Sequence, residues 1–111
     1  MTASIIALYK APSDPERFEA YYFGTHAPLA RKMPGLIKEE FHRLRGADAP
    51  FYLMAILTFN TREERDAALS SPEGQATAAD VPNFAAPGSV TVALAESIEI
   101  VDPTAATGTR R

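Results

Sequence analysis

The sequence predicts an α+β domain with the element order β-α-β-β-α-β, and three observations predict it. Runs rich in β-branched and aromatic residues recur at residues 5–9, 36–44, 51–59 and 89–101. Two segments open with helix-start signals, at Asp14-Pro15 and at Thr61-Arg62-Glu63-Glu64. Proline, glycine and asparagine punctuate the joints, at Pro34-Gly35, Gly46 to Pro50 and Asn83 to Gly88. That order is the ferredoxin-like one: an antiparallel four-stranded sheet with two helices on one face.

The first strand, residues 5–9, is stopped by Pro12 and is apolar on both faces. The first helix starts at Asp14, whose carboxylate can accept from the free amides of the first turn, with Pro15 at the first helical position. Phe18, Tyr21, Tyr22, Thr25 and Leu29 are expected on its buried face, with His26 on the flank. Pro28 lacks an N–H and disfavours helical dihedrals at Ala27, so a kink is expected beside His26 before the helix resumes to Met33. Pro34-Gly35 ends it.

Residues 36–44 mix polar and apolar groups on both parities and read as a partly exposed strand, hairpinned to the apolar strand 51–59. Thr61 and Glu64 form a capping box for the second helix, which Ser71-Pro72 restarts and which fades at Asp80. The last strand, residues 89–101, is expected to be the longest. The domain spans residues 1–101, and residues 102–111 read as a flexible tail.

Two helices cover one sheet face, yet strands one, three and four are apolar on both. A bare apolar face of that size is rare on a monomer. A symmetric homodimer, sheet against sheet, covers it, giving a dimeric α+β barrel.

With 111 residues the chain forms one domain. A net charge of −3 gives no basic footprint, so nucleic acid is not an expected partner. There is no cysteine, which removes disulfides, thiolate metal sites and a thiol nucleophile. No apolar run approaches the roughly 20 residues that cross a bilayer, and no signal peptide is visible, so a cytoplasmic, membrane-free protein is expected.

The pattern Leu8-Tyr9, Pro12, Asp14-Pro15-Glu16, Phe18, Tyr21-Tyr22, His26, Pro28-Leu29, Lys32 and Pro34-Gly35-Leu36 resembles the EthD family of the dimeric α+β barrel superfamily. Ser71-Pro72-Glu73-Gly74-Gln75-Ala76, Asp80 and Asn83-Phe84 extend the resemblance, which covers about residues 4 to 96. It implies the fold, the dimer and a pocket between helices and sheet lined by apolar and aromatic groups. The family is named for a protein linked to ethyl tert-butyl ether degradation through a cytochrome P450 system, and its members often carry a reductase label. The wider superfamily includes muconolactone isomerases, polyketide cyclases, cofactor-free monooxygenases and haem-degrading enzymes. The sequence has no Gly-rich nicotinamide or flavin fingerprint, so no cofactor is expected.

The candidate catalytic residues are His26, whose imidazole can serve as a general acid or base, and Tyr22, a phenol one turn away that can hold a developing oxyanion. Tyr9, Phe18, Tyr21 and Asn83 are the candidate substrate contacts, and a small apolar molecule is the expected partner. Each has a plainer reading: His26 bonded to a carbonyl at the kink, the aromatic rings as core, and Asp80 and Asn83 as turn residues. His42 and Arg43 alternate across a strand and are expected at the surface. With only two histidines and no HxxxH or HxxE spacing, no metal site is expected. The functional alternatives are a cofactor-independent enzyme for isomerisation, cyclisation or oxidation, and a non-catalytic binding dimer that serves an oxygenase or degradation pathway.

Overall fold

A computed structural model describes residues 1–104. Of the expected tail, residues 105–111 lie outside the described residues. Strands β1 (Ala3–Tyr9), β2 (Leu36–Arg43), β3 (Leu53–Phe59) and β4 (Val90–Glu96) form one sheet in the order β2-β3-β1-β4. Every neighbouring pair is antiparallel. Helices α1 (Pro15–Tyr21), α2 (Ala27–Ala30), α3 (Arg62–Ser70) and α4 (Pro72–Asp80) supply the second layer. This is the ferredoxin-like α+β fold.

Side-chain alternation sets the core. Ala3, Ile5 and Tyr9 of β1 and Leu53, Ala55, Leu57 and Phe59 of β3 are buried beneath the helices. Phe18, Tyr22, Ala27, Ala30, Met33 and Ala68 pack down onto them.

The mixed pattern of β2 has a local cause. Leu36 pairs with Phe59 and Lys38 with Thr58, so Ile37 is the extra residue of a bulge and is left exposed. The bulge reverses parity. Leu36 before it, and Glu39, Phe41 and Arg43 after it, therefore share the helix side, while Lys38, Glu40 and His42 take the other.

The expected kink at Pro28 is replaced by a π-helical turn, Tyr22–His26. Ala27 keeps helical dihedrals (φ −62°, ψ −43°), and its N–H bonds the Tyr22 carbonyl five residues back. The wider turn absorbs the residue that cannot donate without breaking the helix. It also changes the buried face. Phe18, Tyr22, His26 and Ala30 are buried, whereas Thr25 is exposed and Leu29 only half-buried. His26 thus stands inside the buried stripe, not on its flank. The helix ends at Ala30, three residues short of Met33, and Gly35 at φ +81° turns the chain into β2.

The caps behave as read. Asp14 accepts from Arg17 N–H, Thr61 from Glu64 N–H and Ser71 from Gly74 N–H. The last strand is shorter than expected, ending at Glu96 with seven residues, no longer than β1 or β3. Among the described residues its ladder partner is β1, whose first residue Ala3 faces Glu96, and one further backbone bond, from the Ser97 N–H to the Thr2 carbonyl, closes the pairing. Strand β3 likewise begins at Leu53, two residues after the expected start.

Candidate active site

His26 is 4% exposed. Its Nδ1 lies 2.9 Å from Asp80 Oδ2, joining the π turn to the end of α4. The other carboxylate oxygen of Asp80 accepts from the Tyr21 hydroxyl at 2.6 Å and from Asn83 Nδ2 at 3.0 Å. The short 3-10 turn Val81–Asn83 brings Asn83 back onto Asp80. Burial pushes the Asp80 carboxyl up, but the hydrogen bonds from Tyr21, Asn83 and His26 together outweigh it and hold it below the usual aspartate value. An ionised carboxylate only accepts, so Nδ1 of His26 donates. In the neutral form of the ring the lone pair lies on Nε2, which has no partner among the described residues.

That ring lines a cavity of about 130 Å³ between the helices and the sheet. Its wall is mostly apolar, including Ile5, Ala30, Met33, Ala55, Leu57 and Phe41. Tyr9 and Tyr22 also line it, with their rings edge-to-face at 5.3 Å. The Tyr22 ring is 5.2 Å from that of His26, and Phe84 approaches His26 to 4.5 Å. Burial raises the Tyr22 phenol far above its ordinary value, assisted by Tyr9 and by the charge of Glu39. Burial likewise raises Tyr9, with Tyr22 partly offsetting it. Both phenols therefore stay protonated and can donate.

The structure separates the sequence-nominated residues into two places. His26, Tyr22 and Tyr9 line the inner cavity. Phe18, Tyr21 and Asn83 line a wider outer groove of about 490 Å³ with Asp14, Arg17 and Phe84. Tyr21 and Asn83 reach His26 through Asp80, and Tyr21 also stacks on Phe84, which packs against His26. His42 and Arg43 are exposed, Arg43 pairing with Glu19 at 2.7 Å and His42 standing 3.5 Å from Glu40.

Two acidic residues carry more than their sequence positions suggest. Asp80, read as a turn residue, orients His26. Glu39 sits among polar β2 residues in the sequence, yet the bulge turns it inward to the cavity wall. Arg31 donates from Nε to Glu39 Oε1 at 2.7 Å. The one sequence signal for Glu39 is its shared parity with Phe41.

Among the described residues no group of three or more His, Cys, Asp or Glu side chains could hold a metal. No helix among them is long and apolar enough to cross a membrane.

The EthD domain model matches residues 10–88. The chain belongs to the EthD family. An EthD-family protein from Bacillus halodurans has a solved structure that is 36% identical, covering 88% of this chain and 100% of its own, with a TM-score of 0.81. An uncharacterised 11.0 kDa protein of the thcB–thcC intergenic region of Rhodococcus erythropolis is 36% identical over 87 residues, 76% of this chain and 84% of that protein. The fold, at 16% identity and a TM-score of 0.64, is shared with SnoaB, a cofactor-independent oxygenase from Streptomyces nogalater; 90% of this chain and 96% of that one are covered.

Proposed function

We propose that this EthD-family protein is a cofactor-independent enzyme that moves a proton on a small, mostly apolar molecule held in the inner cavity. The observation that carries the reading is the buried His26–Asp80 pair, which leaves Nε2 as the basic ring nitrogen of a residue on an apolar cavity wall. An apolar cavity of about 150 Å³ holds benzene, so this one suits a single ring.

In the proposed reaction Nε2 takes a proton from a carbon next to a carbonyl. The C–H electron pair remains on the substrate as an enolate, and Tyr22 donates to the enolate oxygen. Asp80 stabilises the imidazolium, which returns the proton at the same carbon or at a conjugated one, giving exchange or isomerisation. The test uses single-ring ketones and butenolides in deuterium oxide, followed by proton NMR. The wild type accelerates deuterium uptake or double-bond migration, and His26→Gln does not. Equal rates in the two proteins remove His26 from the mechanism.

The second reading is a non-catalytic binder serving a degradation pathway, favoured by the small volume and apolar wall of the cavity. Saturable binding of the same probes with no acceleration by the wild type would select it.

The assembly we propose is a homodimer. Ile6, Leu8, Met54 and Ile56 share the sheet face away from the helices, with Ala93 beside them, and Lys38, Glu40 and His42 border them on β2. A second copy laid on this face buries the strip and leaves the polar border at the rim.

A further inference from the structure

The cavity wall holds a buried carboxylate oxygen that the fold leaves unanswered. Among the described residues Glu39 Oε2 is the buried side-chain oxygen or nitrogen without a hydrogen-bond partner. The Glu39 side chain is 7% exposed, and Arg31 satisfies only its Oε1. Thr77, another polar lining residue, already donates its hydroxyl to the Glu73 carbonyl. A buried acceptor left without a donor is costly, and a hydrogen bond to a charged group is among the stronger ones.

We propose that Glu39 is a substrate-docking residue and that the ligand is a single-ring molecule bearing one O–H or N–H donor, a phenol or a ring enol, whose donor hydrogen bonds Glu39 Oε2. The inference rests on the cavity reading given above but needs no turnover. The apolar wall accepts the ring, the volume limits it to one ring, and the unpaired carboxylate oxygen selects a donor over a carbonyl. Glu39 and His26 line the same cavity, so a ring docked by its hydroxyl presents other ring positions to the imidazole.

The substitution Glu39→Gln gives a test with a built-in reversal. Arg31 Nε–H needs an acceptor, so the amide oxygen keeps the place of Oε1 and the amide NH₂ takes that of Oε2. The acceptor in the cavity becomes a donor at nearly constant shape. Phenol, toluene and cyclohexanone are titrated against the wild-type chain and E39Q by calorimetry. The expected result is that affinity for phenol relative to toluene falls about tenfold or more in E39Q. Affinity for cyclohexanone relative to toluene rises. In wild-type protein with carbon-13 at the glutamate carboxyls, phenol shifts the Glu39 resonance and toluene does not, which reads the contact even if the variant fails to fold. Unchanged ratios with an unmoved Glu39 resonance overturn the proposal, as does failure of the wild type to bind phenol. Phenol selectivity without catalysis leaves this inference standing while the enzymatic reading falls; catalysis without phenol selectivity does the reverse.

Discussion

His26 and Asp80 lie 54 residues apart in the chain and 2.9 Å apart in the fold, Nδ1 to Oδ2, at the seam between the π turn and the end of α4. The carboxylate selects the Nδ1–H tautomer and leaves Nε2 basic. Asp80→Asn can reverse that choice, because its amide can donate to Nδ1. Turnover of a carbon-acid probe is expected to fall on the order of 10²-fold, within the range that a positioned base supplies. The nitrogen-15 shifts of the His26 ring report the tautomer directly. A folded D80N protein with full turnover and unchanged ring shifts would show that Asp80 only closes the turn.

Acid sensitivity follows from the same carboxyl. Asp80 titrates below its ordinary value of 3.8 in the folded chain, because the hydrogen bonds from Tyr21, Asn83 and His26 outweigh the opposing effect of burial. The unfolded chain therefore binds more protons in acid. The resulting stability is fully present above the ordinary aspartate value and is lost as pH falls through the lower, folded value. Glu19 adds a contribution of the same sign, held down first by Arg43 and then by Tyr52. Urea midpoints measured from about pH 6 down to about pH 2 should drop below about pH 4. In D80N the drop should be shallower, although the variant starts from a lower midpoint.

Two glycines on the helices make opposite predictions. A Cβ on Gly74 would lie 2.1 Å from the Ala68 carbonyl oxygen and 2.8 Å from that of Leu69, both backbone atoms that cannot swing aside. This close approach lets α4 begin with only Ser71 between it and α3. Gly74→Ala should destabilise by about 1–3 kcal/mol, the cost of overpacking. A Cβ on Gly24, in the π turn, meets nothing within 4 Å. Gly24→Ala should leave stability unchanged or raise it by about 0.4–1 kcal/mol, through a less flexible unfolded chain. Chemical denaturation of both variants checks the pair, and an equal loss in each would contradict the packing argument.

The element order is legible in the sequence because caps and strand runs are local signals. Asp14, Thr61 and Ser71 each bond the amide that their spacing nominates. Nomination of His26, Tyr22 and Tyr9 also needs only helical spacing and aromatic content, and all three line the cavity. The π turn is not legible. Pro28 announces a missing donor, but whether the helix kinks or widens depends on the packing of Tyr22 and His26 against Phe84 and the sheet. Glu39 is hidden by the bulge at Ile37, which shifts side-chain parity without altering composition. Asp80 is visible as a turn residue, while its histidine partner is a tertiary contact that local pattern cannot supply. The end of β4 is hidden for a similar reason: residues beyond Glu96 keep β-forming character, but the ladder with β1 ends at the Ala3–Glu96 pair, followed by a single backbone bond from the Ser97 N–H to the Thr2 carbonyl.

The sheet face away from the helices carries the last prediction. Ile6 pairs with Ile56 and Leu8 with Met54 across β1 and β3, so four large apolar side chains stand together on a face that no helix covers. Each is half-buried within one chain. If a second copy covers this strip, a carboxylate at its centre must either be desolvated without a partner or keep the copies apart. Ile56→Asp should therefore convert a dimer to a monomer in sedimentation equilibrium. Phe23→Asp, at an exposed position on the π turn, should leave the dimer intact. Because Ile56 points away from the helix-side core, the I56D chain should keep its secondary structure by circular dichroism. A wild-type chain that sediments as a monomer at every concentration would leave the strip without the proposed occupant.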